Sequence, residues 1–328
     1  MRAVVMRETG GPEVLGLEEV PTPAPGAGEV LIRVSLAGVN FADTGMRRGM
    51  VHGPGEDGLP ATPGFEVVGT VAALGADVAE PPEGTRVAAV LPAGGYAEYT
   101  VAPAEAVVPV PEGVDDLSAT ALLVQGLTAY GVLHDAARLE SGEAVLVQAA
   151  GGGVGSLAVQ LARLAGAETV IGTAGSAGKL ALVDSLGADR AVDYSREGWT
   201  GEVLGATGGR GVDVVLEAVG GEIGGAAYDV LAPLGRLVTY GAASGEGLRP
   251  PDMWQLNLKG QTVGGCGGPW IRPGAAEKAR EAVSDHLRSG GLKVVEGPSF
   301  PLAEAAEAHR ALEGRASTGK VALTVRDH

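Results

Sequence analysis

Cysteine, positive charge, long apolar runs and paired histidines are all scarce in this chain, and each shortage excludes something. Cys266 is the only cysteine among 328 residues, so no internal disulfide can form and no zinc site can be built from clustered cysteines. The five histidines, His52, His134, His286, His309 and His328, include no i, i+4 pair and have no carboxylate at metal-binding spacing, so no metal is expected. Lys and Arg number 24 against 40 Asp and Glu, a net charge of −16, which argues against nucleic-acid binding and disfavours anionic membranes. No apolar run reaches the length of a membrane span, and the N-terminus turns polar within eight residues, unlike a secretory signal. A lone cysteine and no signal together point to a reducing, cytoplasmic setting. What remains, 45% hydrophobic and 20% charged residues, describes a globular chain long enough for two domains.

The most informative stretch is 144–155, Ala-Val-Leu-Val-Gln-Ala-Ala-Gly-Gly-Gly-Val-Gly. Val145, Leu146 and Val147 read as a short buried parallel strand. After the glycines, Leu157, Ala158, Leu161, Ala162 and Ala165 recur at helical spacing. A second strand follows at 169–173. Strand, glycine turn, helix and strand open a dinucleotide-binding βαβ unit. Gly152 and Gly155 hold the second and third places of G-x-G-x-x-G, with Ala150 in the first. Gly152 lets the backbone approach a pyrophosphate, Gly155 lets helix and strand pack closely, and the helix N-terminus offers unpaired N–H groups.

Around this unit the chain changes character. Residues 3–6, 29–39, 67–74 and 86–90 are β-branched segments between Gly and Pro punctuation; 53–63 reads as a loop, and 115–130 as helical with Ser118 as N-cap. From 142, strands and helices alternate, which implies a parallel sheet covered on both faces. Helices are expected at 277–289 and 303–312 and a closing strand at 321–325. The expected architecture is α/β: a β-rich domain over 1–122, a doubly wound dinucleotide domain over 123–265, and 266–328 returning to the first domain.

The order of short motifs is specific where each alone is not: Gly38-Val39-Asn40-Phe41-Ala42-Asp43, Pro63-Gly64-Phe65-Glu66-Val67-Val68-Gly69, Gly95-Tyr96-Ala97-Glu98-Tyr99, Gly126-Leu127-Thr128-Ala129-Tyr130, Leu186-Gly187-Ala188-Asp189, and Glu313-Gly314-Arg315 before Gly319-Lys320-Val321. Nearly end to end, the chain resembles the zinc-independent quinone oxidoreductases of the medium-chain dehydrogenase/reductase superfamily, the zeta-crystallin-like group. The resemblance implies a GroES-like catalytic domain, a Rossmann domain, NADPH in the cleft between them, and dimers or tetramers. The zinc enzymes carry a ligand cysteine where this chain has Val39-Asn40, and Gly-His-Glu where it has Gly64-Phe65-Glu66, so Lewis-acid polarisation is not expected. The group often places a pocket tyrosine after Arg-x-Gly; here Met50 and Val51 follow Gly49, which implies a more apolar pocket or a different acceptor.

An NAD enzyme normally ends its second strand with a carboxylate for the ribose; here the sequence is Gly172-Thr173-Ala174-Gly175-Ser176, which removes a repulsion against a 2′-phosphate. Ser176, Lys179 and Tyr194 match the group's phosphate-binding positions, which favours NADPH, although Lys179 alone would read as a solvated residue. The resemblance implies further cofactor contacts at Asn40, Thr128, Gly152, Gly153, Val154, Gly172, Thr173, Val219, Gly241, Ala242, Ala243, the 265–268 turn beginning at Gly265, and Arg315, the last equally a surface ion pair. Asn40, Asp43 and Tyr130 are the catalytic candidates, with helix capping the plainer reading for Asp43 and His52 a further proton source. The expected reaction is NADPH-dependent hydride transfer to a quinone or conjugated carbonyl. Its rivals are an enoyl reductase, with Arg47 and Arg48 as candidate anchors for a CoA phosphate although surface solvation is the default reading for adjacent arginines, and a non-catalytic NADPH-binding protein.

Overall fold

Two periodicities govern the chain, and they fold into separate units: Met1–Val124 together with the chain from Val295 on, and Gln125–Val294. A computed structural model describes residues 1–50, 58–267 and 274–325. Val51, His52, Gly268 and His328, and residues 53–57 of the 53–63 loop, lie outside the described residues.

In the first unit, Glu29–Val39 is the organising strand. Val30, Ile32 and Val34 alternate inward, the period-two pattern of a half-buried strand. It pairs antiparallel with Glu66–Leu74, Tyr99–Pro103 and the closing strand Lys320–Thr324. Glu296–Pro301 pairs parallel with that closing strand at the sheet edge. Residues 295–325 are thus stitched into the first unit. Helix Ala305–Glu313 buries Ala305 and Ala308 on the same core as Val30, Ile32 and Leu323.

The second unit is a six-stranded parallel sheet. From one edge it runs Arg190–Asp193, Thr169–Ala174, Ala144–Val147, Val212–Glu217, Leu231–Thr239, Thr262–Gly265. In chain order this is 3-2-1-4-5-6, the doubly wound dinucleotide-binding arrangement. All four residues of Ala144–Val147 are buried, as a strand covered on both faces must be. The chain order reverses between Ala144–Val147 and Val212–Glu217, which opens a crevice at their carboxyl ends.

Three local expectations change. The dinucleotide domain, expected to close at 265, runs on to Val294. Gln160, on the helix after the glycine turn, receives the Lys293 N–H and donates to its carbonyl, both at 2.9 Å, which clasps the segment after helix Ala275–Arg288 to the second unit. The N-cap of the 115–130 segment is Asp115, whose carboxylate accepts the Ser118 N–H at 2.7 Å, so Ser118 sits three residues into the turn. That segment is also interrupted at Leu123, whose ψ of −116° is not helical. Helices Trp199–Ala206 and Met253–Lys259 had no strong apolar periodicity to reveal them. Among the described residues no single helix is long and apolar enough to cross a membrane.

Candidate functional site

In the second unit the predicted cofactor residues collect at the carboxyl ends of the parallel strands. Helix Gly153–Leu164 starts at Gly152, an extended N-cap with ψ of 178°, so the N–H groups of its first turn have no intrahelical partner. The turn is pinned to the sheet by Ala150, whose N–H donates to Thr173 O at 2.9 Å. Gly155 is obligatory: a Cβ there would strike Ala149 O and lie 2.8 Å from Ala150 Cα. That is the close helix–strand approach demanded of the third glycine in a dinucleotide turn. The Gln125 side chain presses on Gly153, where a Cβ would lie 2.6 Å from Gln125 Cδ, a contact the sequence did not announce.

The adenosine end is built of small and neutral groups. Strand Thr169–Ala174 ends without a carboxylate, and Ser176 takes the N-cap position of helix Ala177–Ser185 with no side-chain capping bond. The stem of the Lys179 side chain runs alongside Gly151 in the glycine turn, and the Tyr194 ring runs alongside Gly175 just beyond the second strand, next to Ser176. The nearest acid by strand register is Asp193, opposite Ala174; one of its oxygens holds the Ser195 N–H at 2.9 Å and hydroxyl at 2.6 Å. Those bonds hold the Asp193 carboxyl below its usual range. Thr173 Oγ1 and Gln148 Oε1 are buried without a hydrogen-bond partner on these same strand ends. Glycine turn, unpaired first-turn amides and a cation beside a neutral strand end fit a phosphorylated dinucleotide.

Gly172 plays another part. It is buried, and a Cβ there would strike Val183 and lie 2.9 Å from Ala150 Cβ, so it lets helix Ala177–Ser185 pack on the strand. What the structure shows of Gly172 is this packing contact. Thr128 and Tyr130 are half-buried on helix Val124–Tyr130, where Tyr130 meets His134 with ring centroids 4.4 Å apart. Burial lowers the His134 pKa.

Val219, Gly241, Ala242, Ala243 and Gly265 lie at or just beyond the ends of the fourth, fifth and sixth strands. They are organised by Glu217, a fully buried carboxylate that sequence reasoning passed over. One oxygen accepts the N–H groups of Val219 and Gly220, each at 2.6 Å, and the other accepts the Thr239 hydroxyl at 2.9 Å. The 239–244 loop is tied to the same turn by Ala243 N–H to Ala218 O and Ser244 N–H to Val219 O. A Glu ending an apolar strand just before Ala-Val-Gly-Gly was the available signal.

The first unit holds Asn40, Asp43 and Arg315 from the predicted set; Arg315 is exposed. Asp43 caps helix Phe41–Arg47, its carboxylate accepting the Asn40 N–H at 2.7 Å, which is the capping role weighed for it. It is completely buried, and burial raises its pKa to about 7, opposed by the Asn40 N–H, the Lys320 charge and the Tyr96 hydroxyl. Lys320, also completely buried, forms an ion pair with Glu66 and donates to Asn40 Oδ1 at 3.2 Å. Burial draws the Lys320 pKa down to about 7, against the charge of Asp43. The polar run continues from Tyr96 to His309 at 3.1 Å, and from His309 to Arg47 at 3.2 Å. Arg47 closes on Glu313 at 2.6 Å. Both expectations for Arg47, phosphate anchor or solvated surface residue, are therefore corrected: it is wholly buried, because its helix packs on Ala305–Glu313, and Arg48 shares the same Glu313. Glu66, Tyr96 and Lys320 were visible in the sequence as motif residues, without roles.

Among the described residues no group of three or more His, Cys, Asp or Glu side chains is arranged to hold a metal ion. Residues 26–112 match a family profile described as alcohol dehydrogenase GroES-like domain, and residues 153–283 one described as zinc-binding dehydrogenase. A 2-haloacrylate reductase from a Burkholderia species is 33% identical over 327 residues, covering 98% of each chain. A quinone oxidoreductase of Pseudomonas aeruginosa is 36% identical over 318 residues, covering 96% of each. The quinone oxidoreductase of Thermus thermophilus, solved with and without NADPH, superposes with a TM-score of 0.83 at 39% identity over 99% of this chain and 100% of that one.

Proposed function

This chain belongs to the quinone oxidoreductase-like family of the medium-chain dehydrogenase/reductase superfamily, and from that premise we propose that it is an NADPH-dependent reductase of quinones or other conjugated carbonyls, working without zinc. The observation that carries the reading is the phosphate turn: Gly152–Gly155 backed by Lys179, Ser176 and Tyr194, with no acid ending strand Thr169–Ala174. The reduced nicotinamide supplies the hydride. The second unit's task is to seat the diphosphate on the first-turn amides and to hold the ring with the 217–221 and 239–244 turns; in the first unit, Asn40 is the amide suited to a carbonyl oxygen. A quinone accepts hydride without a strong acid beside it, so the absence of a metal-ligating side chain at Phe65 is compatible with the reaction.

The 2-haloacrylate reductase relative favours a second reading, reduction of an activated alkene. The burial of Arg47 removes one of the two phosphate anchors that a CoA thioester would have used. We further propose a cytoplasmic protein that forms a homodimer or homotetramer, the self-association supported by the sheet edge at Thr262–Gly265 and by Trp254 and Leu258, which are 67% and 68% exposed on helix Met253–Lys259.

The test is calorimetric titration with NADPH and NADH, followed by turnover with 1,4-naphthoquinone, 2-chloroacrylate and crotonyl-CoA. Tighter NADPH binding with naphthoquinone turnover is expected. Turnover of the alkenes alone transfers the assignment to the second reading, and binding of neither nucleotide overturns both.

A further inference from the structure

Resting on the reductase reading, we infer that Lys320 is a positioning residue: paired with Glu66, it holds the Asn40 side-chain amide so that Nδ2 stands ready to donate to a carbonyl oxygen of the bound ligand. Three strands bring the groups together. The closing strand pairs Val321 with Val39 and Ala322 with Gly38, and Glu66 lies opposite Gly38 on the other side. Lys320 and Glu66 therefore meet over Gly38 beside residue 40. The sequence leaves room for them: a Cβ on Gly38 would run into the Glu66 carboxylate and lie 2.6 Å from Lys320 Nζ.

A buried ion pair is a poor source of stability, since apolar replacements of similar volume commonly do as well or better. What this pair does locally is more informative. Lys320 Nζ donates to Asn40 Oδ1 at 3.2 Å; in its ion pair with Glu66 it is an ammonium, which has no acceptor, so only the oxygen end of the amide can face it. The amide orientation is thereby set. Its other end, Nδ2, is buried on a residue only 8% exposed and has no hydrogen-bond partner. No hydrogen bond joins Nδ2 to the neighbouring Asp43 carboxylate, so the two do not satisfy each other. A buried amide donor left unmade is costly, and an acceptor oxygen on a ligand would recover that cost. An ammonium on the amide oxygen also polarises the amide and strengthens its N–H as a donor. That is the group required where a carbonyl oxygen gains negative charge as its conjugated system takes up hydride.

Lys320→Met alone would strand the Glu66 charge in the core, so the test uses Glu66→Gln/Lys320→Met, which removes both charges together. It is compared with Asn40→Ala and with the triple variant. The double variant should melt near the parent temperature without nucleotide, yet lose kcat with naphthoquinone on the order of 100-fold, the usual cost of losing one preorganised donor. Adding Asn40→Ala should then cost little more. NADPH affinity, read from its fluorescence, identifies the ligand oxygen. Weakened NADPH binding indicates the nicotinamide carboxamide; unchanged NADPH binding with lowered kcat indicates the acceptor carbonyl. Either supports the assignment. Parental kcat and NADPH affinity in the double variant, or losses that simply multiply in the triple variant, would overturn it while leaving the reductase reading intact. Failure of the parent protein itself to bind NADPH overturns that reading, and this assignment with it.

Discussion

Glu217→Ala should unfold the second unit's strand ends and loosen its grip on nucleotide at the same time. Glu217 lies at the end of strand Val212–Glu217, completely buried, and accepts three hydrogen bonds, two from backbone N–H groups at 2.6 Å and one from Thr239 at 2.9 Å. Alanine removes all three and leaves the Val219 and Gly220 N–H groups in a buried turn with nothing to bond. Each stranded donor costs about 1–3 kcal/mol, so the loss should be about 3–5 kcal/mol once partial relaxation is allowed. Glu217→Gln is the informative control. Both backbone donors use the same carboxylate oxygen, so an amide oxygen can serve them while the amide NH2 turns to Thr239 Oγ1. Only the charge-assisted part is then lost, about 1 kcal/mol. Urea unfolding reads both variants, and NADPH titration should show Glu217→Ala weaker than Glu217→Gln, because the 239–244 loop hangs on the same turn. An unchanged urea midpoint for Glu217→Ala refutes the reasoning, and so does a Gln variant as damaged as the Ala variant.

Lys179→Ala should weaken NADPH far more than NADH, by roughly 10- to 100-fold if one charge-assisted contact of about 1.5–3 kcal/mol is lost. Equal losses for the two nucleotides in calorimetry would remove Lys179 from the phosphate site. His309 supplies a pH test of the first unit. Burial and the charge of Arg47 lower its pKa to about 3, so the stability it contributes is fully present above pH 6.5 and is lost as pH falls towards 3. Asp43 works in the opposite direction between about 4 and 7, so the comparison must be with His309→Gln rather than with the parent alone. Between pH 7 and pH 5 the stability advantage of the parent over His309→Gln should shrink by about 2 kcal/mol. A constant difference across that range would mean that His309 is not held neutral.

Local patterning determined most of the architecture. The strand at Ala144–Val147, its glycine turn and the helix beyond were readable because a doubly covered strand must be apolar throughout and a pyrophosphate turn must lack side chains. The neutral end of strand Thr169–Ala174 was readable for the same reason: a carboxylate there would be a single visible letter. Asp43 as a cap was also visible, since a capping box is a four-residue signal.

Tertiary contact decided the rest. Glu66 and Lys320 are 254 positions apart, and nothing local says that antiparallel pairing across Glu29–Val39 brings them to the Asn40 amide. Arg47 looked like any surface arginine until helix Ala305–Glu313 packed over it. Nothing local says that the space left at Gly172 is taken by Val183 of the following helix. By itself, the sequence determined which segments must be strands, turns and helices and which dinucleotide they suit, because those depend on the chemistry of adjacent residues. The partners of its buried charges were settled only by the folded structure, because a desolvated charge takes whatever opposite group the strands carry to it from anywhere in the chain.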